Sequence, residues 1–90
     1  EVDWWDGKRK CEEQFAQMPN LRQLEAIYKN KEVLNEAFIA AGGEALDDEV
    51  YYWSSTEYNS SYAWLLYVGS GSRYDYYKLN YGYVRPVLAF

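Results

Sequence analysis

The sequence predicts an α+β domain, with helices first and a meander of antiparallel strands after them. Three observations carry this. Apolar residues recur at helical spacing through about residue 41, they alternate at strand spacing from residue 51, and the turn signals between the strands are short enough for hairpins but not for crossover helices. Ninety residues, 49% hydrophobic and 20% aromatic, make one packed domain over 1–90, near the lower size at which a single core suffices.

Asp3 is placed to cap a first helix with Trp4 and then Cys11, Phe15 and Met18 on its apolar face, and Pro19 is expected to end it. Asn20 reads as a new cap with Gln23 as its capping-box partner, ahead of a helix carrying Leu21, Leu24, Ile27 and Tyr28 on one face. A third helix, from Lys31 to about Ala41, is expected to bury Val33, Leu34, Ala37, Phe38 and Ala41, and Gly42-Gly43 stops it. The acidic loop 44–49 leads out.

Residues 51–55 form an aromatic run with strand propensity. From Tyr62 to Val68 the alternation predicts Trp64, Leu66 and Val68 on the buried face and Leu65 and Tyr67 on the other. "GSGS" at 69–72 is a turn, Arg73 to Leu79 continues as a strand or irregular loop, and Tyr83 to Phe90 closes the chain, with Pro86 marking an edge or bulge.

Composition narrows the function classes. The net charge of −5 argues against nucleic acid as a partner, because phosphate binding needs a basic surface. Twelve of the fourteen acidic residues lie in 1–50, so the second half is close to neutral. Without histidine, general acid–base work falls to carboxylates, and Glu12-Glu13 and the i, i+4 pair Glu32/Glu36 read as exposed helix faces. Asp47, Asp48 and Glu49 are consecutive and read as a solvated loop rather than a calcium site. "GSGSRY" lacks the ending of a phosphate loop. Cys11 has no partner for a disulfide and is expected to be buried and inert. No leader-like or membrane-spanning run is seen in the 90 residues. No catalytic group, metal or cofactor is therefore expected, and no membrane insertion.

The informative signal is aromatic. Ten of eleven tyrosines and all six serines fall in residues 51–90. Some of Tyr51, Tyr52 and Tyr83 are expected in the core beside Trp53, Trp64, Leu66, Val68, Val84 and Leu88. The remainder exceed the interior a 90-residue domain offers, so they are expected to form an exposed patch. Tyr, Ser, Gly, Asn and Asp together are the residues of antibody-like binding surfaces: tyrosine brings large contact with few torsions to freeze, and the small polar residues adapt their hydrogen bonding.

"YYWSSTEYNSSYAWLLYVGSGSRYDYYKLNYGYVRPVLAF" resembles the C-terminal half of a C-type lectin-fold domain of bacterial or phage type, and more narrowly a variable protein of a diversity-generating retroelement. The resemblance rests on Trp53-Ser54-Ser55-Thr56-Glu57, Ala63-Trp64, Gly71, Lys78 and Val84-Arg85-Pro86-Val87, and "PNLRQLEAIYKNK" is similar to the family's helix, departing at Met18 and Asn20. It spans about residues 3–90. It implies a C-type lectin-like fold whose N-terminal strand is short or missing here. It also implies a solvent-facing, diversified ligand site built from Tyr58, Tyr62, Leu65, Tyr67, Ser72, Tyr74, Asp75, Tyr76, Tyr77, Leu79, Asn80 and Tyr81. The implied partner is a protein or cell-surface ligand, and the implied location a cell surface, a phage or the secreted space. The sugar- and calcium-binding motifs of animal lectins are absent, and Cys11 does not match the reactive cysteines of the related formylglycine-generating enzymes. The alternative reading is the same fold with a fixed surface, as an adhesin or structural domain of a larger bacterial protein.

Overall fold

A computed structural model describes residues 1–40, 42 and 49–87, the side chain of Phe38 excepted. Three helices, α1 (Trp4–Glu13), α2 (Leu21–Lys29) and α3 (Lys31–Ala40), precede three strands, β1 (Tyr51–Glu57), β2 (Tyr62–Tyr67) and β3 (Arg73–Tyr77). The strands form one antiparallel sheet in the order β1-β2-β3. The α+β class is as the sequence predicts. Among the described residues, no helix is long and apolar enough to cross a membrane.

Local chemistry explains the helix starts. Asp3 Oδ1 accepts from the Asp6 amide at 2.9 Å, satisfying one of the unpaired donors of the first turn. Asn20 and Gln23 form the reciprocal capping box, each side chain accepting from the other's backbone amide at 2.8 Å.

The end of α1 differs from expectation. The helix stops at Glu13, not at Pro19. Ala16 N donates to Cys11 O and Phe15 N to Glu12 O, the paired bonds of a Schellman turn. Phe15 occupies its left-handed position at φ 55° and is 95% exposed, so it is not on the apolar face with Cys11 and Met18. The α3 expectation also fails in part. Val33 is 69% exposed and Ala37 is exposed too, with Leu34 only half-buried. Ala41 and most of the acidic loop lie outside the described residues, as does Leu88.

Two core clusters sit on opposite faces of the sheet. On the first, Trp53, Ala63 and Leu65 pack with Trp4 and Cys11 of α1 and with Met18, flanked by Val84. On the second, Tyr52, Leu66 and Val68 pack with Leu24, flanked by Ile27, Tyr28 and Val50. Each fully buried large side chain contributes about 1.5–3 kcal/mol of apolar transfer. Trp53, not Trp64, is the tryptophan at the centre, with no exposed surface. Trp64 is half-buried, its ring set edge-on to Tyr58 at 5.8 Å.

The "WSSTE" run ties the helical half to the sheet. Between Trp53 and Glu57 the β1–β2 register breaks, and the freed groups turn elsewhere. Ser54 Oγ donates to Trp64 O at 2.6 Å, and Ser54 O accepts from the Trp4 indole at 2.8 Å. Ser55 N donates to Pro19 O, and Thr56 Oγ1 accepts from the Leu21 amide at the start of α2. The outer edge of β1 is paired as well: Trp53 N donates to Tyr83 O and Tyr83 N to Tyr51 O. Val2 and Gly82 form an antiparallel bridge beside this edge. A Cβ on Gly82 would lie 2.9 Å from the Trp53 indole nitrogen, which itself donates to Val2 O.

Candidate functional site

Side-chain alternation across the three paired strands divides the aromatic residues between two faces. Cross-strand partners share a face, so Tyr51, Tyr67, Tyr74 and Tyr76 lie with Trp53, Ala63 and Leu65. Tyr62, Tyr77, Asp75 and Arg73 lie with Trp64 and Leu66 on the other.

On the first face three of the tyrosines are in ring contact. The Tyr51 ring is 4.8 Å from that of Tyr67 and 6.0 Å from that of Tyr74. Tyr76 tilts over Trp53 at 5.9 Å, covering the core with its exposed ring. Beyond β3, the loop residues Leu79, Asn80 and Tyr81 meet Tyr76 around a shallow cleft of about 320 Å³. Tyr81 also walls a second cleft of about 230 Å³, shared with Tyr51, Gly82 and Tyr83 and rimmed by Glu1 and Glu49. Tyr81, 67% exposed, thus stands between two hollows of one aromatic surface. A larger hollow of about 400 Å³ lies at the α2–α3 junction, lined by residues 28–33; it shares no side chain with the tyrosine face.

The loop 79–82 is held from beneath by Lys78. This lysine is 2% exposed. Its ammonium pairs with the Glu57 carboxylate, donates to Ser60 O at 3.1 Å, and lies 4.4 Å and 5.5 Å from the ring centroids of Trp4 and Trp5. Its backbone bonds Ser61 O and the Trp4 amide. A buried cation is tolerated only with such compensation, here a carboxylate, a carbonyl and two aromatic faces. The hydrogen bond from Lys78, and then its charge, hold the Glu57 carboxyl below its ordinary range.

The twelve residues expected to form one site fall into separate groups. Tyr67, Tyr74, Tyr76, Leu79, Asn80 and Tyr81 belong to the first-face surface. Tyr62, Asp75 and Tyr77 lie on the opposite face, Tyr62 and Tyr77 in ring contact at 5.8 Å and Tyr58 near them against Trp64. Ser72 sits in the β2–β3 turn, its hydroxyl 2.9 Å from that of Ser70. Leu65 is not at any surface. It has no exposed area and belongs to the Trp53 cluster, because α1 covers the face that alternation had assigned to solvent. Of Tyr51, Tyr52 and Tyr83, some of which are expected in the core, Tyr52 is buried. Tyr51 and Tyr83 are 44% and 39% exposed and line the second cleft. The hairpin register supplies the missing signal, since it sets Tyr51 opposite Tyr67.

No cluster of three or more metal-ligating side chains occurs among the described residues. Cys11 has no exposed surface, and burial, with Glu12 nearby, raises its thiol pKa. The chain matches no protein-family model, and a search of curated proteins found no relative.

Proposed function

We propose that this chain is a non-enzymatic ligand-binding display domain, a C-type lectin-like scaffold of the kind diversified by retroelements. Its binding surface is the first-face aromatic cluster. The observation that carries the reading is the pair of clefts on either side of Tyr81, walled by tyrosine, leucine and asparagine and resting on a buried tryptophan. Exposed aromatic surface of this kind marks binding sites, and stacked tyrosines lose little side-chain entropy on contact. The ligand class is a protein or a cell-surface molecule, met on a broad, shallow surface rather than in a deep pocket.

The test is the same locus sequenced from further isolates. Differences confined to the slots among Tyr67, Tyr74, Tyr76, Leu79, Asn80 and Tyr81 and their second-face counterparts, with an adenine-biased imperfect repeat and a reverse-transcriptase frame nearby, support the proposal. Differences scattered over helices and core, or a constant surface with no such repeat, refute diversification and leave the fixed-surface adhesin. Binding itself is read separately, by selecting ligands against a library randomised at Leu79, Asn80 and Tyr81.

A further inference from the structure

The two edges of the sheet are not alike. The outer edge of β1 is closed by Tyr83 and by Pro19 O. No strand among the described residues pairs with the outer edge of β3. The register shows which groups it leaves open. Tyr67 N bonds Ser72 O and Lys78 N bonds Ser61 O, so residues 72, 74, 76 and 78 turn their backbone groups toward β2. Arg73, Asp75 and Tyr77 turn theirs outward. All five β3 residues are exposed, and β3 contains neither proline nor glycine, nor a bulge against β2. This is a template for strand addition.

Charge selects the occupant. Edge strands are usually protected by charges of one sign, which repel a second copy. Here Arg73 and Asp75 have opposite signs and share one face. In an antiparallel, two-fold pairing centred on Tyr74, Arg73 of each copy stands opposite Asp75 of the other, in a pair where both backbones face outward. Centring on Asp75 instead would oppose two like charges. Asp75 has no ion-pair partner among the described residues, and Arg73 holds only an exposed contact with Glu25 at 3.4 Å, weak enough to exchange.

We infer that β3 pairs with β3 of a second copy of this chain, in the Arg73–Asp75 register, making a continuous six-stranded sheet. Four main-chain hydrogen bonds and two cross-strand ion pairs hold the junction. The two-fold axis runs through the sheet normal, so both tyrosine faces point to the same side and the two Tyr74 rings meet at the axis. The pair presents two ligand surfaces together, which raises avidity for a repetitive or membrane-bound target without new contacts to it.

Sedimentation equilibrium on the purified chain tests this. The wild type should self-associate reversibly, as a small, exposed interface allows. Asp75→Pro removes an outward N–H and the Asp75 carboxylate but no bond to β2, and should leave a folded monomer by circular dichroism. Arg73→Asp and Asp75→Arg should each weaken association by about tenfold or more, since like charges then oppose each other twice. The double exchange restores complementarity and should return association to near wild type. Amide hydrogen exchange at Arg73 and Asp75 should slow with protein concentration. A wild type monomeric throughout, or a dimer indifferent to Asp75→Pro, overturns the inference, as does a double exchange no better than the singles. A third outcome, in which the edge is protected only by a strand from another protein, overturns it too. None of these outcomes bears on the tyrosine clefts.

Discussion

Leu65→Ala discriminates the structure from the alternation pattern more sharply than any other single change. If Leu65 faced solvent as a contact residue, its removal would alter stability by only a few tenths of a kcal/mol. In the structure it is wholly buried beside Trp53, Ala63, Trp4 and Met18. Truncation removes three carbons, about 2.4 kcal/mol of transfer at about 0.8 kcal/mol each. The cavity left behind adds to this, and buried leucines in comparable cores lose about 2.7–5.0 kcal/mol. Trp53 and Trp4 are too large and too well bonded to collapse into the space, so about 3–4 kcal/mol is expected. In a domain of this size that lowers the melting temperature by roughly 12–30 °C. Urea denaturation followed by tryptophan fluorescence gives the free energy, and thermal circular dichroism gives the temperature. A loss under about 1 kcal/mol would refute the two-faced core. The partner measurement is Tyr81→Ala, expected to shift stability by less than about 0.5 kcal/mol because the ring is largely exposed.

Three further outcomes are expected. Phe15→Gly should raise stability by about 1 kcal/mol, since it relieves a left-handed non-glycine residue and gives up no burial; a loss on chemical denaturation would show that the exposed ring is held by something. Trp53→Ala should cost about 3–5 kcal/mol or prevent folding, and Trp64→Ala clearly less, so equal losses in paired melts would contradict their difference in burial. The Glu57–Lys78 pair predicts a pH dependence. The carboxyl titrates lower folded than unfolded, so its stabilisation is complete above the ordinary carboxylate range and is lost as pH falls through the lowered value. Wild type should therefore exceed Glu57→Gln most at neutral pH, with the gap closing in acid; a gap that widens in acid would reverse the assignment.

What the sequence shows plainly is what short-range chemistry decides. The caps at Asp3 and Asn20 need only residues three positions away, and both form as read. The hairpins follow from turn residues and strand-spaced apolar positions, and Gly71 takes the φ of 74° its turn requires, with Tyr28 so close that a Cβ would collide. Burial of Lys78 has no local sign. Its compensation comes from Trp4 and Trp5, more than seventy positions earlier, and from Glu57 across the sheet. The end of α1 was misread for a related reason. Phe15 fits the helical spacing, but its position in the Schellman turn is set by backbone bonds to Cys11 and Glu12, which apolar periodicity does not report.

The misplacement of Leu65 has an identifiable cause. Strand alternation assumes a sheet with one wet face, and then separates scaffold from surface residue by residue along each strand. In this sheet α1 covers one face and α2 the other, but only over β1 and β2. Central β2 accordingly carries the near-continuous apolar run of a strand buried on both sides, Ala63 to Leu66, with only Trp64 reaching partly to solvent. Strand β3 lies beyond both helices and is exposed at every position. The boundary between core and surface therefore runs chiefly between β2 and β3, with Tyr51, Glu57 and Tyr62 exposed at the ends of β1 and β2. A ladder to β2 fixes the β3 backbone whatever side chains β3 carries, and the buried Lys78 anchors its far end. That arrangement lets side chains on β3 and the following loop differ with little effect on the core, Tyr76 alone among the β3 rings meeting Trp53, which is the physical property the proposed display surface would require.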